Sequence, residues 1–381
     1  MIDRPFWIEA IRRIWEKRSV VWLSGVRRTG KTTLSRMLPD AHYLNCDLPS
    51  VMRRLEDPES FYDSLAEQSA VIFDEIHRTP DPSHLLKIAT DAYPHVRILA
   101  TGSSTLEATK KFRDSLTGRK QTLYLPPVLW EECRQAFQIR DLDRRLLHGG
   151  LPEALLAEEK DPSFYSEWTD SFYARDIQEL FSIRNRTGFM NLFRLLLRQS
   201  GGLVDFTSLS KLSDLSRPTV KTHIEAMSIA HTVTLLPPFH GGGRREITQR
   251  PKVYAFDTGF VTFMKGWDTI RDEDRGILWE HLVLDGLRTV VNPGQLYYWR
   301  DKSDREVDFV IRRRGNTVTA IECKINPDHF HVKSLSAFRS IYPRGDNVVI
   351  GPWIKTSYAR RHGDLTVQYH SLESWRSEWR G

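Results

Sequence analysis

SVVWLSGVRRTGKTTL, residues 19–34, decides the architecture. Val20 to Leu23 form a short apolar run rich in β-branched and aromatic residues, which predicts a buried strand. A turn bounded by Gly25 and Gly30 follows, and Lys31, Thr32 and Thr33 open the next helix. The spacing is GxxxxGKT in the setting its chemistry needs. Glycines let the backbone fold tightly enough to aim its N–H groups at phosphate oxygens, and the helix presents its positive end to the same anion. Lys31 would reach the β and γ phosphates of a nucleoside triphosphate, and the Thr32 hydroxyl would serve Mg²⁺.

Two downstream strands fit the same reading. SAVIFDEIHR (69–78) ends an apolar run in Asp74 and Glu75. Asp74 would hold Mg²⁺ through its water shell, and Glu75 would act as the base or orienting group for the attacking water. VRILATGSS (96–104) ends in Thr101 and Ser103, hydroxyls placed to sense the γ-phosphate from the neighbouring strand.

The remaining composition bounds the rest. A chain of 381 residues with 40% hydrophobic and 27% charged residues implies two to three globular domains. No apolar run approaches the roughly 18 to 20 residues that span a bilayer, and the first residues form a charged amphipathic segment without a signal-peptide core. Three scattered cysteines, Cys46, Cys133 and Cys323, show no metal or disulfide pattern, so a reducing cytoplasm is expected. The net charge is only +6, yet residues 186–255 hold ten Lys/Arg against four Asp/Glu. An acidic polymer is the partner this stretch suggests.

That basic stretch reads helix, turn, short helix, then Ser216-Arg217-Pro218-Thr219 opening another helix, with GGGRRE between strand-like runs. This is a winged helix-turn-helix pattern. Thr219, Lys221 and His223 would face a groove, the wing's Arg244 and Arg245 would meet phosphates, and Arg217 is a further candidate for nucleic-acid contact. A GGG tip offers no base-reading side chain, so DNA binding should be insensitive to sequence. Docking to a protein is the alternative use of such a module.

With these motifs, the chain resembles the AAA+ ATPases, in particular a bacterial and archaeal subfamily with a C-terminal domain of unknown function. SLTGRKQTLYLPPVLWEE (115–132), the turn with Gly149, Gly150, Pro152 and Glu153, and the pair Arg175-Asp176 carry the resemblance. It implies ATP with Mg²⁺ as cofactor and a homo-oligomeric ring. Within that ring Arg119, with Arg113 in reserve, would reach the neighbouring subunit's phosphates, and Arg175 would report nucleotide state from a helical lid. The last third adds Glu280 on an amphipathic helix and a pair of strands joined at 314–316, with Asp308 on one and Glu322 and Lys324 on the other. Alternation puts Asp308 opposite Glu322 and Lys324, a D-x13-E-x-K pattern suited to Mg²⁺ or Mn²⁺. This resembles the PD-(D/E)XK nuclease fold, although Val307 stands where the family has proline.

The expected fold class is α/β: an AAA+ core over 1–130, a helical lid over 131–185, a winged helix over 186–258 and a nuclease-like domain over 259–381. The expected function is an ATP-driven protein that translocates or remodels DNA, including branched DNA, in repair, recombination or defence. The rival expectation is an ATP-controlled DNA- or protein-binding switch whose C-terminal domain does not cut.

Overall fold

Val20–Ser24 forms strand β1, buried along its whole length, as an apolar run does when helices cover both faces of a parallel sheet. The computed structural model describes residues 2–66, 69–102, 106, 112, 116–178, 181, 183–240 and 250–380. With β1 run β2 (Ala41–Asn45), β3 (Ala70–Asp74), β4 (Arg97–Thr101) and β5 (Lys120–Tyr124). The sheet order is β2-β3-β4-β1-β5, and every pairing is parallel. Leu23 therefore lies beside Thr101, and Asp74 ends a strand two places away. Trp22, Phe73 and Ala100 face one apolar layer; Leu23, Ile72 and Leu99 face the other with Trp7 and Ile11 of the helix Pro5–Trp15. The chain start is anchored by Arg4 and Trp7, which both donate to the Glu132 carboxylate at 2.8 to 3.0 Å.

After the sheet the chain is helical: Trp130–Gln135, Leu142–His148, Pro152–Leu156 and Pro162–Phe172, running into a π-helical turn, Tyr173–Gln178. Three helices, Arg186–Arg198, Phe206–Ser213 and Arg217–Ile229, then lead to the antiparallel pair β6 (Val233–Leu236) and β7 (Lys252–Ala255). Serine and aspartate caps define these starts: Asp205 accepts from the backbone of Thr207 and Ser208, and Ser216 from that of Thr219. Residues 241–249, including Arg244 and Arg245, lie outside the described residues, as do Ser103 and Arg113.

The carboxy-terminal sheet contains β8 (Leu296–Arg300), β9 (Glu306–Arg312), β10 (Val318–Cys323), β11 (Asn347–Ile350), β12 (Tyr358–His362) and β13 (Leu365–His370), in the order β12-β13-β11-β10-β9-β8. Three strands, not the expected pair, occupy 296–325: LYYWR pairs antiparallel with β9, through a register shift, because its aromatics also reach the core. The helix Asp272–Arg288 precedes β8, and Lys333–Ile341 crosses between β10 and the parallel β11. The amphipathic character expected of Asp272–Arg288 is not observed: residues 278–287 are all buried, Glu280, His281 and Asp285 included.

The helix Thr258–Lys265, expected in the C-terminal domain, packs against the helices Leu142–His148 and Pro162–Phe172. Tyr165 stacks on Phe263 at 5.1 Å, and Thr262 donates to the Leu147 carbonyl. Asp257 caps this helix through the Gly259 N–H and also accepts from the Gly150 N–H at 2.6 Å. Gly149 has φ 82°, and a Cβ there would fall on the Asp257 carboxylate. Gly149→Ala should therefore cost about 1–3 kcal/mol of stability, measured as a lower urea midpoint with unchanged slope.

Candidate nucleotide site and a buried acidic cluster

At the carboxy-terminal edge of the first sheet, Gly25 adopts φ 146° and Gly30 φ 92°. A Cβ at Gly25 would collide with the Leu125 carbonyl, so only glycine lets the loop turn this close to the next strand. The helix Lys31–Arg36 starts directly after Gly30. Lys31 folds across the loop, its Nζ donating to the carbonyls of Gly25 at 2.8 Å and Val26 at 2.9 Å. Burial pulls its pKa down, while the carboxylates of Glu75, Asp176 and Asp74 oppose that fall. Thr32 is half-buried at the mouth of the loop, and Thr33 is exposed.

Asp74 is 3% exposed and accepts two short hydrogen bonds, from Tyr43 Oη at 2.6 Å and Thr101 Oγ1 at 2.5 Å. The Thr101 oxygen also accepts from the Glu75 N–H at 3.0 Å. Its hydroxyl is thus committed to holding the two acidic residues in place. Glu75 lies in the left-handed region at φ 58°, an uncommon conformation for a non-glycine residue that clusters at functional sites. His77 Nδ1 stands 3.2 Å from Glu75 Oε2. The hydrogen bond from His77 holds the Glu75 pKa below its ordinary range against the opposing effect of burial, and the Lys31 charge assists.

Two cavities flank the loop. One, of about 580 Å³, is lined by Ile2, Gly30, Thr32, Phe137, Pro152 and Leu156, so it has an apolar wall. The other, of about 220 Å³, brings Lys31 and Glu75 together with Arg175 and Asp176 of the π-helical turn and with Thr232. Arg27 of the loop is paired with Asp176 at 3.0 Å, and burial raises the Asp176 pKa despite that charge. A glycine-bounded turn before a helix start, a lysine and the carboxylates of Asp74 and Glu75 suit a triphosphate with Mg²⁺. Thr32 and Asp74 would hold the ion, which would neutralise phosphate charge. Arg119 sits elsewhere, paired with Asp91 at 2.7 Å and next to Lys120, which adjoins Val20 at the opposite end of β1.

In the middle helices Arg217 and Lys221 are exposed and Thr219 is half-buried, its hydroxyl 2.7 Å from that of Ser216. His223, expected to face a groove, turns inward instead. It is 5% exposed and packs on Phe189 at 5.4 Å, because it lies three residues from Val220 on the core side of the helix.

The C-terminal candidates do converge. The Cys323 N–H donates to Asp308 Oδ2 at 2.7 Å, and Lys324 Nζ lies 2.8 Å from Glu322 and 3.7 Å from Asp308. Glu280, Glu306 and Asp308 each offer an oxygen within 4.8 Å of the others. Lys252 of β7 enters this cluster from the other side, 3.0 Å from Glu280 and in contact with Glu306, while the Tyr254 hydroxyl donates to Glu280. Burial raises the Glu280 and Glu322 pKa values, and for Glu322 the Asp308 charge adds to the rise. Burial alone would lower the Lys252 pKa, but Glu280 and Glu306 outweigh it. Glu306 had a readable signal, two residues before Asp308 on the same strand face; Lys252 had none.

Residues 17–134 match the family described as an AAA domain. Residues 139–271 and 275–368 match two domains of unknown function, DUF8612 and DUF4143. The uncharacterized protein Rv2008c of Mycobacterium tuberculosis is 28% identical over 328 residues, covering 83% of this chain and 72% of its own. Its counterpart Mb2031c of Mycobacterium bovis matches equally, at 28% identity with the same coverage of each chain, 83% and 72%. Among solved structures, the Walker-type ATPase PABY2304 of Pyrococcus abyssi aligns with TM-score 0.42 and 14% identity, over 70% of this chain and 96% of that one. RuvB of Thermotoga maritima aligns with TM-score 0.33 and 14% identity, over 62% and 90%. Residues 17–134 are thus similar to AAA domains, in keeping with the phosphate loop between Gly25 and Thr32. No described helix is long and apolar enough to cross a membrane.

Glu75→Gln should still bind ATP but turn over about 10²–10⁴ times more slowly, as read by phosphate release; a normal rate would remove Glu75 from the reaction. His77→Ala should let the Glu75 pKa rise, so the acid limb of the kcat profile should move to higher pH.

Proposed function

We propose that the chain is an ATP-hydrolysing machine whose nucleotide cycle acts on DNA held by its middle domain. The observation that carries this reading is the small cavity beside Lys31 and Glu75. Its wall includes Arg175 and Asp176 from the lid and Ala230 and Thr232 from the middle domain. A γ-phosphate at Lys31 would therefore be felt at once by both. Ser24, the last residue before the loop, also hydrogen-bonds His231 Nε2 at 2.7 Å, which ties the phosphate loop to the same middle domain. Thr101 acts here as a positioning residue for Asp74 and Glu75, and Arg119 would serve a neighbouring subunit in a ring.

The order of three helices followed by an antiparallel pair supports a winged helix, with Arg217 and Lys221 on its exposed face. The helix-β8-β9-β10-helix-β11 order, with Asp308 facing Glu322 and Lys324, supports a nuclease-like C-terminal scaffold. The entry of Lys252 among its carboxylates favours the second reading, a switch whose C-terminal domain binds without cutting.

ATP turnover with and without duplex DNA tests the proposal. DNA should stimulate the wild-type rate, and Lys31→Ala should abolish turnover while leaving DNA retention at low salt. Replacing Arg217 and Lys221 by Glu should reduce affinity uniformly across sequences and flatten the salt dependence by about one unit of slope for each phosphate no longer neutralised. Turnover indifferent to DNA, with no retention in dilute buffer, would overturn the reading and leave a protein client.

A further inference from the structure

We propose that Lys252 is the resident cation of the C-terminal acidic cluster, so that the middle domain keeps a divalent ion out of it while the two domains are docked. The inference rests on the nuclease-like reading of that domain and departs from it on the question of metal. Glu280, Glu306 and Asp308 have the oxygen chemistry and spacing of a Mg²⁺ or Mn²⁺ site. The space between the first two is taken by the Lys252 ammonium, 3.0 Å from Glu280, against Glu306, and 3% exposed.

Two aromatic rings flank the ammonium there, and other groups hold the carboxylates around it. The Lys252 Nζ lies 5.6 Å from the Tyr298 ring centre and 5.9 Å from that of Tyr254, and Tyr254 itself is hydrogen-bonded to Glu280. Arg300 meets the second Glu306 oxygen at 3.4 Å, and Lys324 covers Glu322 and Asp308 from the far side. Four carboxylates thus face two lysines and one arginine. A divalent ion bound to the same oxygens would stand against an ammonium that is itself almost wholly buried, and the two cannot share the cage.

The lysine arrives on a separate element. Lys252 begins β7, whose partner β6 continues to Phe239, and Phe239 N–H donates to the Tyr298 carbonyl of β8 at 2.6 Å. The Tyr298 hydroxyl returns a bond to the Arg250 carbonyl at 2.5 Å. Separating the β6–β7 pair from β8 would withdraw Lys252 and leave the acidic residues facing one another. The same carboxylates would then form a metal cage, so the site is closed by docking of the middle domain, not by loss of its ligands.

Mn²⁺ titration of the full chain without nucleotide, followed by electron paramagnetic resonance, tests this. Wild-type protein should show no saturable site that depends on Asp308, and Lys252→Arg should behave like it. Lys252→Met should gain one site per chain, at least tenfold tighter than any wild-type binding, and Asp308→Asn in that background should remove it. Far-UV circular dichroism checks folding, and Lys252→Gln, which keeps a hydrogen-bonding head, stands in if the Met variant does not fold. An Asp308-dependent Mn²⁺ site in the wild-type chain would overturn the proposal, as would a folded neutral variant that gains none. Neither result touches retention of DNA, so failure here is distinct from failure of the wider reading.

Discussion

A triphosphate can be held only where donors and cations are fixed before it arrives, and in this chain that place is the edge of a parallel sheet. β1 delivers the loop, β4 delivers Thr101 and β3 delivers Asp74 and Glu75 to one line because every strand runs the same way. Lys31 stands between loop carbonyls and three carboxylates. Tyr43 and Thr101 hold Asp74 in its buried position. Preorganisation of this kind is what electrostatic catalysis of phosphoryl transfer requires.

The same edge is where the other parts of the chain make contact. Arg27 reaches the π-helical turn through Asp176. Ser24 reaches His231, whose pKa burial pushes down to about 3, so that contact is made by a neutral ring. Tyr124, the register partner of Ser24, lies under the Arg288 guanidinium at 4.2 Å, and Arg288 ends the long helix that carries Glu280. The π-helical turn, His231 and the helix Asp272–Arg288 therefore each touch the loop, the end of β1 or its neighbour. π-Helical turns are rare and recur at functional positions, and this one places Arg175 over the Lys31 cavity.

Much of the phosphate loop was legible because its chemistry is local. Two glycines, a lysine and a threonine at fixed spacing leave few alternatives, and contiguous apolar runs mark strands covered on both faces. What could not be read depended on distant partners. His223 has a polar ring, yet helix periodicity turns it inward onto Phe189. The helix Thr258–Lys265 joins the helix Leu142–His148 through contacts more than a hundred residues away in sequence, such as Thr262 to Leu147. LYYWR is set off from the following strand only by the short polar turn at 301–304, and its aromatics carry no alternation that marks a third strand. The cluster of Asp308, Glu322 and Lys324 followed from pairing across one hairpin, whereas Lys252 belongs to a different sheet altogether.

The proposed function requires coupling between the nucleotide and the middle domain. The most direct test is the affinity of the full chain for a short duplex, measured by anisotropy at fixed salt with a non-hydrolysable ATP analogue and again with ADP. Coupling predicts affinities that differ by about fivefold or more, with the difference abolished in Asp176→Asn protein. Equal affinities in the two nucleotide states would contradict it.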